Sequence, residues 1–377
     1  MAPLPTLLAL LLGAVVLAGL KLTSLLSWLI VQPATSVLLG LALLSGVVLL
    51  LATRVAHHAD ELALKLGEPY GTLILTGSAI VVELALIAGT MTTGEQNPTL
   101  ARDSMFAVLM IALTGVKGVS IFLAAQEQER QLDAPLSSPS ELASMNLSGS
   151  STYLSLISAI SVMALITPNF SHLTDEANFT MPVNVVLSVT AIGLYAVFLT
   201  SQTGTYRNLF TESPEQAQWL EGAAAEIDRG MALLPSMGLL ASGLLLLVLI
   251  TESMGQLIET SITDLGLPSS MGGVLVGLLV LAPEALNAFQ AASRGEVQRS
   301  LNTLYGSALS TLCLTVPAVL LIGELIHTDV ILGLDPLEMV LLGLTLFLVR
   351  PTSGRVTRLD GLVLLVIFFF WIALQVG

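Results

Sequence analysis

The chain has 377 residues, of which 54% are hydrophobic and 11% charged, with a mean hydropathy of +0.88 and a net charge of −14. Soluble domains carry about 25% charged residues, so these values exclude one and indicate a polytopic membrane protein. The acidic balance argues against nucleic acid as a partner, and acids in inter-helix loops attract cations.

A bilayer-spanning helix needs about 20 mostly apolar residues. In chain order that criterion predicts eleven spans, at roughly 4–20, 35–55, 70–91, 103–124, 150–167, 183–202, 231–252, 269–291, 299–323, 331–349 and 359–376. The N-terminus, MAPLPTLLALLLG, has no basic segment before its apolar run, so it reads as a retained first helix rather than a cleaved signal. The link at 21–34 is itself partly apolar (LTSLLSWLIV) and either extends this helix or lies along the interface. The expected fold is therefore all-α and polytopic.

Lysine and arginine placement orients the chain. With the N-terminus cytoplasmic, ten basic residues lie inside (Arg54, Lys65, Arg130, Arg207, Arg229, Arg294, Arg299, Arg350, Arg355, Arg358) and two outside (Lys21, Arg102), and the C-terminus is outside. Lys117 lies within a span and is expected to snorkel to the cytoplasmic interface. The target is a lipid bilayer, and the absence of an organelle-targeting segment suggests a bacterial cytoplasmic membrane.

The spans divide into an N-terminal helix and link (1–34), a first five-helix half (35–204) with a hairpin at 70–124, an acidic cytoplasmic linker (205–230), and a second five-helix half (231–377) with a hairpin at 269–323. Residues 126–149 read as a polar, flexible loop. Pro214 to Asp228 can form an amphipathic acidic helix, read either as a solvated linker or as a cytoplasmic cation sensor.

Each hairpin has one carboxylate in mid-span, Glu83 and Glu284. In each, a glycine lies twelve residues before the glutamate (Gly71, Gly272) and an arginine opens the next span (Arg102, Arg299). A carboxylate at bilayer depth costs about 2.5–3.5 kcal/mol on insertion scales and marks a functional site by default. The span with Glu83 runs inside to outside and the span with Glu284 runs outside to inside, so the hairpins have the opposed orientation of inverted repeats. Glu83 is thirteen residues into its span, about 20 Å from the cytoplasmic end, and Glu284 is at similar depth, so both can reach a shared midplane site.

Pro283, directly before Glu284, removes a backbone hydrogen bond and frees a carbonyl. Gly77 and Gly89 could loosen the other span in a similar way. Carboxylates and freed carbonyls make an oxygen-rich cage suited to a hard cation such as Ca²⁺. Aligning Arg102 with Arg299 sets Met110 opposite Ser307, Leu113 opposite Ser310 and Thr114 opposite Thr311, so Thr114, Ser307, Ser310 and Thr311 are candidate ligands; ordinary back-bonding to the preceding turn is the alternative for each. Gly115, Gly118 and Gly306 would permit close helix approach. Asn287 and Asn302 are polar candidates, with Asn302 better placed to brace its helix than to bind an ion.

Two neighbouring carboxylates at low dielectric repel, so protons are held near neutral pH, whereas a divalent cation needs both ionised. Protons and cation then compete for the same oxygens, and alternating access turns competition into antiport. The single Cys313 lies in an apolar span and the four histidines have no zinc spacing, so neither a disulfide framework nor a cofactor is expected.

The blocks GEPYGTLILT…ELALI…RDSMFAVLMIALTG (67–115) and LAPEALNAFQAA…VQRSLNTLYGSALSTLCLTVP (281–317) resemble the two α-repeats of the cation/proton exchanger (CAX) family of the Ca²⁺/cation antiporter superfamily, closest to the bacterial ChaA-type sodium/calcium–proton antiporters. The resemblance runs from His58 to the last helix. It implies Ca²⁺/H⁺ exchange with Na⁺ or K⁺ as further substrates, eleven helices in inverted repeats, and Glu83 and Glu284 as alternating cation and proton ligands. Where many eukaryotic exchangers have GNxxE, this chain has Ile80 and Leu281 three residues before the glutamates, and the Gly306-Ser307 pair has Leu109-Met110 as its counterpart. These changes thin the polar cage of the first repeat.

The leading expectation is a Ca²⁺/H⁺ antiporter that exports Ca²⁺, and the nearest alternative is Na⁺(K⁺)/H⁺ exchange on the same fold. An intramembrane enzyme lacks a Ser/His, Asp/Asp or His-metal constellation here, and no Walker motif supports pumping. A channel would suit a ring of charges better than two lone glutamates.

Overall fold

The computed structural model describes residues 4–66, 70–91, 98–131, 143–171, 177–204, 206, 209–210 and 233–376. The acidic tract from Pro214 to Asp228 lies outside the described residues. The helices are α1 (Leu4–Leu22), α2 (Leu25–Leu29), α3 (Ala34–Leu66), α4 (Tyr70–Met91), α5 (Leu100–Met110), α6 (Lys117–Gln131), α7 (Leu147–Ser161), α8 (Met181–Thr203), α9 (Leu233–Leu265), α10 (Ser270–Ala292), α11 (Val297–Ser310), α12 (Val316–Ile326), α13 (Pro336–Leu348) and α14 (Arg358–Val376). Wider π-helical turns join α5 to α6 (Ile111–Val116), extend α7 (Val162–Ile166) and join α11 to α12 (Thr311–Thr315).

Among the described residues nine helical stretches are long and apolar enough to cross a membrane; the span predicted at 70–91 coincides with α4, and the span predicted at 331–349 corresponds to a shorter apolar helix, Pro336–Leu348. The protein is an integral membrane protein. The second of these spans starts later than predicted because Asp335 caps its helix, with Pro336 at the first position and Glu338 completing the capping box. Two helices outrun their predicted spans. α3 and α9 each hold 33 residues, about 50 Å at 1.5 Å per residue, against a hydrocarbon core of about 30 Å. The link at 21–34 contributes the short helix α2. The loop predicted at 126–149 is partly regular, since α6 runs to Gln131 and Ala143–Ser144 forms a strand, β1.

The compact units are not the two sequence halves. One unit comprises Met1–Ser104, Gln218–Pro283 and Ile322–Thr328; the other comprises Met105–Ala217, Glu284–Leu321 and Asp329–Gly377. Each takes helices from both halves, and the divisions fall inside α5, α10 and α12.

In the first unit α3, α4 and α9 pack together, with α1 laid on α3 and α9. Small residues bring the helices close. A Cβ on Gly13 would stand 2.9 Å from the Leu51 side chain, and one on Gly243 would stand 2.7 Å from Val55. α1 is fastened near both ends. Thr6 shares a 3.2 Å hydrogen bond with the Nε2 of buried His58 on α3, and Lys21 pairs with Glu252 on α9.

In the second unit α6 crosses α14 where Gly118 meets Gly361: a Cβ on Gly361 would lie 2.6 Å from the Gly118 carbonyl. Buried Trp371 of α14 sets its ring edge-on to Phe106, 6.0 Å between centroids. A second aromatic cluster joins Tyr153 of α7 to Phe198 of α8, to Phe210 and to Tyr305 of α11. β1 pairs antiparallel with β2 (Arg355–Val356), Ala143 opposite Val356. The Gly354 carbonyl beside β2 also accepts from the Met145 N–H.

Candidate functional site

The residues expected to make the site are divided between the two units. Glu83 belongs to the first and Glu284, Thr114, Ser307, Ser310 and Thr311 to the second.

In the first unit, α4 presents Glu83, which is 4% exposed. Ser78 and Thr90 on the same helix are also buried, and the Thr90 hydroxyl donates back to the carbonyls of Leu86 and Ile87 at 3.0 and 2.8 Å. The loosening expected at Gly77 and Gly89 is not found, because α4 is a continuous helix through both. Their roles differ. A Cβ on Gly77 would meet nothing within 4 Å, whereas one on Gly89 would stand 2.7 Å from the Thr251 carbonyl carbon and 2.8 Å from its oxygen. Gly89 therefore lets α4 lie directly on the α9 backbone, about 9 Å along the helix from Glu83.

In α10, Pro283 sits inside an unbroken helix and is buried. It has no N–H to offer the preceding turn, so the expected freed carbonyl belongs to Leu279. Glu284 is partly buried, and Asn287 is exposed. Asn302 braces its helix as expected: its amide donates to the Phe210 carbonyl at 2.6 Å and accepts from Gln298 at 2.8 Å.

The hydroxyl candidates take a particular backbone. Thr114 lies in the π-helical turn Ile111–Val116 and Thr311 opens the π-helical turn Thr311–Thr315. Each threonine stands twelve residues after its arginine. π-turns concentrate at functional sites because a widened turn leaves carbonyls without their regular donors. Both threonines are buried, at 0% and 1% exposure. Thr114 donates to the Met110 carbonyl, and Ser310 donates to the Ser307 carbonyl at 2.9 Å. These are the back-bonded arrangements of an ordinary helix, and each hydroxyl oxygen keeps lone pairs through which it could also ligate a cation. Ser307 is only partly buried. Of the three glycines expected at close crossings, Gly118 meets the Gly361 carbonyl and Gly115 accommodates the Phe368 ring, while Gly306 has only a 4.0 Å neighbour.

One charged group went unrecognised in the sequence. Asp103, 4% exposed, accepts from the Arg102 Nε at 2.7 Å and from the Thr99 hydroxyl at 3.1 Å. A Cβ on Gly273 would lie 2.5 Å from the Asp103 carbonyl carbon, so α10 also packs on this turn. The adjacent opposite charges at the head of a span were the available signal. Lys117 corrects a second expectation. It does not snorkel to solvent but is 3% exposed, donates to the Val349 carbonyl at 2.7 Å and lies over the Tyr305 ring, 5.1 Å from its centroid.

Residues 36–204 and 235–377 match the sodium/calcium exchanger protein family. The chain is 32% identical over 322 residues to the putative ionic transporter y4hA of Sinorhizobium fredii, covering 85% of this chain and 83% of that one. It is also 32% identical over 320 residues to the sodium-potassium/proton antiporter ChaA of Escherichia coli, covering 84% and 83%. In fold it is similar to the crystal structure of the Ca²⁺/H⁺ antiporter protein YfkE, with a TM-score of 0.65 at 15% identity over 98% of both chains. With a continuous helical frame, mid-span glutamates and a family match over both halves, the chain belongs to the sodium/calcium exchanger protein family.

Proposed function

We propose that this chain is a secondary antiporter of the bacterial cytoplasmic membrane that exports Ca²⁺ from the cytoplasm against inward H⁺. The observation that carries this reading is the pair of mid-span glutamates, Glu83 buried on α4 and Glu284 beside a helix-interior proline on α10. Each binds a cation when ionised and a proton when not, so the two cargoes exclude one another and no separate coupling device is needed. The carbonyl freed by Pro283 and the widened turns at Thr114 and Thr311 supply neutral oxygens of the kind a hard cation takes. No cofactor enters this mechanism; Ca²⁺ and H⁺ are cargo. The chain acts as a transporter, with no covalent chemistry asked of any residue. It lies with its N-terminus in the cytoplasm and its C-terminus outside, in keeping with the ten-to-two distribution of basic residues. Na⁺(K⁺)/H⁺ exchange at the same carboxylates is the second reading, favoured by the 32% identity to a sodium-potassium/proton antiporter.

Everted membrane vesicles energised to an acidic interior test both. Ca²⁺, Na⁺ or K⁺ is added and dequenching of a pH-sensitive dye is followed for wild type, Glu83→Gln and Glu284→Gln. Ca²⁺ is expected to dissipate the gradient, with each variant slowed by a factor of ten or more. A response to Na⁺ or K⁺ alone selects the second reading. Wild-type rates in both variants would refute the assignment of the two glutamates.

A further inference from the structure

Lys117 is the one ammonium that the sequence puts inside a span, and the structure buries it. Its hydrogen-bond acceptor, its ring neighbour and the Asp360 carboxylate that acts on it all complement a positive charge. The Val349 carbonyl, at the C-terminal cap of α13, accepts its hydrogen bond. That end of a helix carries the negative pole of the backbone dipole. The Tyr305 ring presents its face at 5.1 Å, the attractive geometry for a cation. These contacts favour the charged form of the lysine against the cost of burying it.

Its position bears on the exchange. Lys117 directly follows the π-helical turn that holds Thr114, three residues on. Tyr305 lies on α11, which leads into the π-turn beginning at Thr311. The hairpin alignment that pairs Thr114 with Thr311 pairs Lys117 with Leu314. The fixed charge thus exists in one repeat only and makes the two unequal.

We propose that Lys117 is a specificity-determining residue of the exchange, a buried fixed charge whose field weakens cation binding in the unit that holds Thr114, Thr311 and Glu284 and does so more for divalent than for monovalent ions. The proposal rests on the antiporter reading above. Coulomb energy scales with the charge of the cargo, so at one site the penalty on Ca²⁺ is twice that on Na⁺ whatever the distance or dielectric. A doubled free energy is a squared ratio. Removing the charge lowers the apparent KM for Na⁺ on the order of tenfold and for Ca²⁺ on the order of a hundredfold, for a unit charge roughly 10–15 Å away at an effective dielectric near 20.

The test uses full-length protein in everted vesicles. It compares Lys117→Met, which keeps the length and loses the charge, Lys117→Gln, which can still donate to the Val349 carbonyl, and Lys117→Arg, which keeps the charge. Apparent KM is read for each ion that wild type exchanges, and the inhibition constant for an ion that only competes. KM does not depend on how much protein reaches the membrane. The proposal expects both neutral variants to lower KM, Arg to restore it, and the Ca²⁺ ratio to approach the square of the Na⁺ ratio. It is overturned if KM stays the same or rises in the neutral variants, if Arg behaves like Met, or if both ions shift by one equal factor. A purely structural tether would lower kcat and abundance with KM unmoved. Wild-type vesicles that exchange no cation at all would instead refute the antiporter reading.

Discussion

Two glycines on one helix give the sharpest check of how Glu83 is held. Gly77 and Gly89 both lie in α4, six residues to either side of Glu83, and both would gain helix propensity on substitution by alanine, about 0.5–1 kcal/mol each. They differ in what the new methyl meets. At Gly77 nothing stands within 4 Å; at Gly89 the backbone of Thr251 stands at 2.7 and 2.8 Å and the Glu252 nitrogen at 3.0 Å. Ordinary contact begins near 3.4 Å, so α4 and α9 must separate by about 0.7 Å at that crossing. Backbone cannot rotate away as a side chain can. Overpacking of this kind costs about 1–3 kcal/mol. Because the propensity gain is common to both variants, the difference between them isolates that cost, about 2 kcal/mol. Purified in detergent and melted by intrinsic fluorescence, Gly89→Ala is expected to unfold on the order of 4 °C below Gly77→Ala. In vesicles Gly77→Ala should keep wild-type exchange, while Gly89→Ala should raise the apparent KM by displacing the helix that carries Glu83. Equal melting temperatures for the two variants would refute the packing of α4 on α9 described here.

Proton competition and the Asn302 brace give two more predictions. If cation and protons share the carboxylates, lowering the pH by one unit should raise the apparent KM for Ca²⁺ up to about tenfold per competing proton, with maximal rate reached at saturating Ca²⁺; a KM independent of pH would end the shared-ligand mechanism. Asn302→Ala removes the 2.6 Å bond to the Phe210 carbonyl, and should cost about 1 kcal/mol in a detergent melt with no change in KM; a changed KM would place Asn302 among the cargo ligands.

Much of this protein is legible in its residues taken in order. Long apolar runs define the membrane helices because a helix satisfies its backbone within itself, and lipid then demands apolar side chains over a fixed length. The cost of a carboxylate at that depth singles out Glu83 and Glu284 before any neighbour is known. Shared spacing from glycine to glutamate, and from arginine to threonine, aligns the two hairpins with one another. All of these are properties of short stretches, and they survive without coordinates.

What tertiary structure alone decided are pairings between residues far apart in the chain. Lys117 reads as a snorkelling lysine until the Val349 carbonyl, 232 residues away, closes on it. Gly77 and Gly89 read alike until α9 arrives against only one of them. The sequence divides into two five-helix halves, and each compact unit draws helices from both. The strand pair of 143–144 with 355–356 carries no apolar signal of its own. The reason is common to all four. A side chain's own stretch sets its depth and its periodicity, but its environment depends on which helix face packs against it, and that depends on every other helix at once. Hydropathy places a charge in the membrane; only the packed fold shows what neutralises it.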